Sequence, residues 1–175
     1  MDDDRLRYPI GKFFPQQSYT PGEVQSNIMR IEVLPGKIET LIKSFGPHQW
    51  NTPYRDGGWT ARQVVHHLAD SHLNSYVRLK WTLTESTPLI KAYDEKAWAE
   101  TPETKLDPAI SISFLKVLHV KWTALLKLLT EDDLKKEFIH PDTKKNVPLD
   151  RLIALYAWHG EHHLGHLNIV AGKNS

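Results

Sequence analysis

Residues 158–166 read WHGEHHLGH and place histidines at 159, 162, 163 and 166. So dense a group of imidazoles points first to metal chemistry, and two zinc-protease orders can be tested against it. The order H-E-x-x-H needs Glu directly after the first His, but Gly160 follows His159. The inverted order needs Glu directly before the last His, where His162 stands instead of Glu161. Neither order fits. What remains is an i, i+4 pair, His159 and His163, whose side chains lie one above the other on a helix and can share one ion. The chain has no cysteine, so any transition-metal site here is built from imidazole and carboxylate, a donor set that suits Zn, Ni, Fe or Cu.

Helical geometry separates the four histidines. A helix turns about 100° per residue, so positions four apart differ by about 40°. Leu152, Leu155, Tyr156 and Val170 mark the apolar stripe, and His159 and His163 fall along its middle. His166 lies on the flank, His162 further off, and Glu161 roughly opposite His159, which makes it a poor base for an ion held there. The alternative for each is an ordinary histidine, buried and hydrogen-bonded or facing solvent. A second cluster, VVHHLADSHLNSY at 64–76, offers a partner. Val64, His67, Ser71, Ser75 and Arg78 form one stripe, from which His66 is absent, while Leu68, His72 and Leu79 form its neighbour, so periodicity leaves both His67 and His72 open. A stripe of Val, His, Ser, Ser and Arg is polar for a core and points to a cavity. His48, His119 and His140 are isolated and are expected to be structural or surface residues.

Four helices are expected to position these groups. The first starts at Thr20-Pro21-Gly22-Glu23, a capping box with Pro at the first helical position, and carries Val24, Ile28, Ile31, Leu34, Ile38, Leu41 and Phe45 on one face. Pro35 falls inside it and is expected to kink or divide it. The second follows a Pro- and Gly-marked turn, TPYRDGG. It is capped by Thr60 with Gln63, is stapled by Trp59 onto Val64, and should run from Ala61 to about Glu85. The third has Asp107 as cap and Pro108 at its first position, with Ile112, Leu115, Leu118, Trp122, Leu125 and Leu129 as its apolar face. The fourth begins near Pro148, has Asp150 in its first turn, and stops at Gly172. The only strand-like runs lie near FIHPDTKKNV. The segment from Ser86 to Asp107 is too long for a tight hairpin, and its DEKAWAE can form a helical turn or two. The expected fold is therefore an all-α four-helix bundle with a long crossover between helices two and three.

At 175 residues the chain suits one domain, over residues 1–175. Its 22 basic and 21 acidic residues leave a net charge of +1 with no basic stripe, which argues against a nucleic-acid partner. The first residues, MDDDRLRYPIG, are acidic where a signal peptide is basic and then apolar. No apolar run approaches a membrane span, and a cytoplasmic protein is the expectation.

PYRDGGWTARQVVHHLADSHLNSYVRLK, YDEKAWAE, WTALL, HPDTK and LYAWHGEHH together resemble the YfiT branch of the DinB-like superfamily. The similarity runs from Tyr8 to the end of the fourth helix. The resemblance implies a four-helix bundle with the same long crossover, a homodimer, and a three-histidine metal site. Its first ligand is the His before an apolar-small pair, here His67 ahead of Leu68-Ala69, and the others are the H-x-x-x-H pair His159 and His163. Resemblance thus selects His67, where periodicity left two. One divalent ion per subunit is implied, zinc first and nickel second.

Three neutral histidines leave a tetrahedral ion one open position, which water can fill. Two chemistries follow: activation of water for hydrolysis, or activation of an incoming thiol for attack on a second substrate. The branch's name places a metal-dependent hydrolase of a small molecule first. Other DinB-like relatives make a low-molecular-weight (bacillithiol-type) thiol S-transferase the alternative, and a non-catalytic metal-binding protein the third. Asp70 is a candidate outer-shell or solvent-facing residue, Tyr156 a cavity-lining or core one, and Arg55 with Asp56 a turn-stabilising pair. No general base is identified.

Overall fold

A computed structural model describes residues 3–173. Four long helices dominate: α1 (Pro21–Ile42), α2 (Ala61–Thr84), α3 (Ala109–Leu126) and α4 (Leu149–Val170). The two expected capping boxes form. Thr20 accepts from the Glu23 amide while the Glu23 carboxylate accepts from the Thr20 amide, and Thr60 and Gln63 repeat the exchange. Each satisfies helix-end amides that would otherwise lack partners. At α3 the helix is assigned from Ala109, and Asp107 Oδ1 accepts from the Ala109 amide at 2.9 Å, the capping role expected of it. Past α4, Gly172 adopts φ +70 and its amide donates to Ile169 O, so the expected stop is a left-handed turn that glycine tolerates.

The crossover from α2 to α3 contains a helical turn at Glu95–Trp98 and a 3₁₀ turn at Pro102–Lys105. Between α3 and α4 lies an antiparallel hairpin, β1 (Glu137–His140) with β2 (Lys145–Pro148). The crossover is tied to β1, because the Ile90 amide donates to Ile139 O and the Ile139 amide to Pro88 O. Helix α1 packs mainly on α3 and α4, and so does α2. Sequential helices α1 and α2 therefore sit diagonally, an arrangement that makes α2 and α4 neighbours.

Pro35 does not divide α1, which runs unbroken through it with Leu34 and Pro35 buried. Proline lacks an amide hydrogen, so the Ile31 carbonyl four residues earlier has no helical donor. It is met instead by His119 Nδ1 from α3, at 2.7 Å. Helix α3 corrects another expectation: by length and composition it is apolar enough to cross a membrane. Ile112, Leu115, Leu118 and Trp122 are buried in the bundle, while Ile110, Phe114, Val117 and Val120 face outward.

The apolar core is in two parts. One, near the hairpin, gathers Ile28, Ile31, Leu79, Trp122, Phe138, Leu152 and Tyr156; the other gathers Leu34, Ile38, Val64, Leu68, Leu115 and Leu167. In each helix the sequence passes from one cluster to the other through the middle. The residues in that middle layer include His72, His119, His159 and His163. These imidazoles form a polar layer between the two hydrophobic clusters.

Candidate metal centre

His67 stands on α2, and His159 and His163 stand one turn apart on the neighbouring α4. One ring nitrogen from each can be chosen so that all three lie within 4.8 Å of one another. His67 Nε2 and His159 Nε2 are 3.2 Å apart. Two nitrogens each about 2.0–2.1 Å from one tetrahedral zinc would lie about 3.3 Å apart, so the spacing already fits a shared ion. The rings are steeply inclined to one another, 64° between His67 and His163 and 70° between His159 and His163. Trp59, the residue before the Thr60 cap, lies against His67, 4.6 Å between ring centres, and so backs one of the candidate ligands.

Electrostatics keep these imidazoles ready to ligate. Burial pushes His67 down to about 4, and burial first, then the neighbouring histidines, hold His159 and His163 well below the ordinary imidazole value. All three are neutral near pH 7, the form that binds metal. His67 and His163 are buried and His159 is half-buried as a residue, with both its ring nitrogens turned inward to His67 and His72.

The other predicted positions sort themselves around this centre. Glu161 is turned away, as its helical position requires, and pairs with Arg30 of α1 at 2.6 Å. His66 is buried but occupied elsewhere, with Nδ1 2.7 Å from Ser111 Oγ. Tyr156 is both core and lining: its ring is 5.4 Å from that of His159, and its hydroxyl accepts from Ser71 at 3.4 Å. Asp70 is partly buried, and its carboxyl is raised to about 6 by burial and then by Glu103. Its carboxylate makes no hydrogen bond to a histidine among the described residues. Arg55 donates to the backbone oxygen of Asp56 at 2.9 Å, within the turn before α2.

Two residues matter more than their spacing suggested. His72, left open as a ligand, stands behind the triad with Nε2 3.2 Å from His159 Nδ1. His119, expected to be an isolated structural or surface residue, is buried with Nε2 2.8 Å from His72 Nδ1. It lies on a different helix from either histidine cluster, and its one sequence signal was an imidazole in the buried stripe of α3. His162 and His166 form a second possible group with His163. There His162 stacks on Trp158 at 4.6 Å, and its Nδ1 is buried without a partner. His166 is held at both nitrogens: Nδ1 lies 3.2 Å from His163 Nδ1 and Nε2 3.2 Å from Arg7 O.

Known proteins share this architecture. The DinB superfamily model matches residues 30–167. A Bacillus subtilis (strain 168) protein named "Putative metal-dependent hydrolase YfiT" is 48% identical over 174 residues, 99% of this chain and 98% of its own. A Bacillus cereus (strain AH820) protein with the same hydrolase designation is 49% identical over 162 residues, 93% of each chain. The Bacillus subtilis YfiT structure, described as having an unusual four-helix bundle topology, superposes with a TM-score of 0.94 at 46% identity over 97% of each chain. TT2238, a four-helix bundle protein, shares the fold alone, with a TM-score of 0.55 at 18% identity. With a family model spanning most of its length and relatives near half identical from end to end, the chain belongs to the DinB superfamily, in its YfiT branch.

Proposed function

We propose that the protein is a metal-dependent hydrolase of a small electrophilic substrate, with one divalent ion, zinc first and nickel second, held by His67, His159 and His163. The observation that carries this reading is the largely buried triad of neutral imidazoles, two of its nitrogens 3.2 Å apart, within a polar layer of the bundle. A structural zinc site is normally closed by four protein ligands. This group offers three, and Glu161, the carboxylate nearest in sequence to the α4 ligands, is committed to Arg30. When bound, such an ion supplies Lewis acidity and lowers the pKa of a water at its open position. The chain's own part is to hold three neutral donors and to wall the site with Trp59 and Tyr156, whose rings exclude bulk water from two sides.

A second reading, metal-dependent transfer of a small external thiol, has its own support. Three neutral donors leave the ion's double charge uncompensated, which favours an anionic fourth ligand such as a thiolate. No carboxylate among the described residues hydrogen-bonds the triad as a base, and a thiolate needs none. One experiment separates the two: untagged, metal-loaded protein is incubated with chromogenic esters and with an electrophilic acceptor, with and without a small thiol. Thiol-independent cleavage is the expected result. Turnover seen only with thiol would replace hydrolysis by transfer, and bound metal without turnover would leave a binding protein.

The same reading includes a homodimer. Ile110, Phe114, Val117 and Val120 of α3 are exposed apolar residues that a second copy would cover. Light scattering should give twice the chain mass, and Val117→Lys with Val120→Lys should reduce it to one; a wild-type monomer would rule the dimer out.

A further inference from the structure

We propose that two chains of hydrogen bonds, each ending on a backbone carbonyl, set the tautomers of His159 and His163 so that both turn a bare Nε2 to the metal position. His72, His119 and His166 are then positioning residues. This inference rests on the triad being the metal centre.

The direction of each chain follows from its far end. A carbonyl oxygen can only accept, so the ring nitrogen facing it must carry the hydrogen. His119 Nδ1 faces Ile31 O at 2.7 Å and is therefore the donor. A neutral imidazole has one N–H, which leaves His119 Nε2 as an acceptor. His72 Nδ1 faces it at 2.8 Å and donates, which leaves His72 Nε2 bare. That nitrogen lies 3.2 Å from His159 Nδ1, which must supply the hydrogen. The only lone pair left on His159 is on Nε2, the atom 3.2 Å from His67 Nε2. The second chain is shorter. His166 Nε2 donates to Arg7 O at 3.2 Å, so its Nδ1 accepts from His163 Nδ1, also at 3.2 Å. His163 Nε2 is then bare as well.

Pro35 gives the longer chain its anchor. An ordinary residue there would offer an amide to Ile31 O along α1, whereas proline leaves that oxygen to His119. Tyr54 stabilises the shorter chain by stacking on His166, 3.7 Å between ring centres and 11° between planes. Donation of a ligand's remote N–H fixes its ring and raises its basicity, and losing such a partner typically lowers metal affinity about 10–100-fold.

The tautomers can be read without any metal. In metal-free protein labelled with ¹⁵N-histidine, two-bond ¹H–¹⁵N correlations should place the proton on Nδ1 of His72, His119, His159 and His163, and on Nε2 of His166. A proton on Nε2 of His159 or His163 overturns the proposal. Affinity supplies the second readout, by competition of Zn²⁺ against a chelator. His72→Phe should weaken binding about 10–100-fold. His72→Gln, whose amide oxygen can accept from His159 Nδ1–H, should recover most of the loss. Unchanged affinity in His72→Phe also overturns it, and should that variant fail to fold, His119→Gln and the wild-type spectrum carry the test. Wild-type protein that binds no ion would remove the metal reading, and the tautomer pattern alone would then uphold or overturn the two chains.

Discussion

His163 is the residue on which two groupings compete, because it stands within reach of His67 and His159 on one side and of His162 and His166 on the other. Occupancy of the neighbours decides between them. His166 is engaged at both nitrogens, and His162 is stacked on Trp158, whereas His67 and His159 present ring nitrogens to each other. Single replacement of His67, His159 or His163 by Ala should therefore reduce metal affinity by more than the about 10–100-fold typical of losing an outer-shell partner. His162→Ala should leave affinity within a few-fold of wild type. Metal content by mass spectrometry and chelator competition on untagged protein would show it. Full loss in His162→Ala with retention in His67→Ala would move the site to the other group. At this scale the i, i+4 rule was enough to pair His159 with His163 as candidates, because both lie on one helix whose buried face is marked by Leu152 and Tyr156. It could not choose His67 over His72, since both sit on buried faces of α2 and which of them meets α4 depends on how the helices are rotated in the bundle. It missed the part played by His119 for the same reason: its contacts cross from α3 to α1 and α2, and nothing local to residue 119 encodes them.

The glycines of WHGEHHLGH explain how closely the helices that carry the site are held. A Cβ placed on Gly160 would overlap Leu34 Cδ2, and one on Gly165 would come within 2.7 Å of Pro9 Cγ. Gly160 thus lets α1 press against α4 one residue after His159, next to Leu34 and Pro35. Leu34 is buried in the apolar core, so it has little room to yield. In an exposed helix Gly→Ala gains about 1 kcal/mol, but overpacking a core costs about 1–3 kcal/mol, so the second effect should win here. Gly160→Ala is expected to lower stability by about 1 kcal/mol net, a drop of about 2–4 °C in Tm for a chain of this size, and to weaken metal binding through displacement of His159. An unchanged or raised Tm would show that Leu34 can give way and that the close contact of α1 with α4 does not require glycine at 160. The caps at Thr20, Thr60 and Asp107 and the stop at Gly172 were legible in the sequence because they are local hydrogen-bonding rules. Pro35 was legible as a disturbance but not as its outcome, since the donor that replaces the lost amide comes from 84 positions further along the chain, in His119.

Across the whole molecule, the layer of imidazoles between two apolar clusters makes stability depend steeply on acid. Nine histidines have pKa values lowered, with burial as the first cause. Unfolded, each takes up a proton near pH 6.5. Folded, His67, His119 and His162 resist until about 4 and His166 until about 3. Between those limits the unfolded chain binds more protons, so stability is full above about pH 6.5 and falls as the pH drops towards 4. Asp70 acts in the opposite sense, because its carboxyl is raised to about 6 when folded and it holds a proton that the unfolded chain has lost. Burial raises the Glu95 carboxyl in the same sense, which makes two carboxyls against nine histidines. A shift of one pKa unit corresponds to about 1.4 kcal/mol, so a few histidines acting together match the roughly 5–15 kcal/mol by which a domain is stable. Metal-free protein should therefore lose its helical circular dichroism cooperatively, with a midpoint between pH 4 and 6.5. Stoichiometric Zn²⁺ should move that midpoint to lower pH, since an ion that binds only the folded state stabilises it and proton and ion compete for the same three nitrogens. Metal-free protein that keeps its full helical signal at pH 4 would contradict the account, and would mean that water or local opening reaches the histidine layer without unfolding the bundle around it.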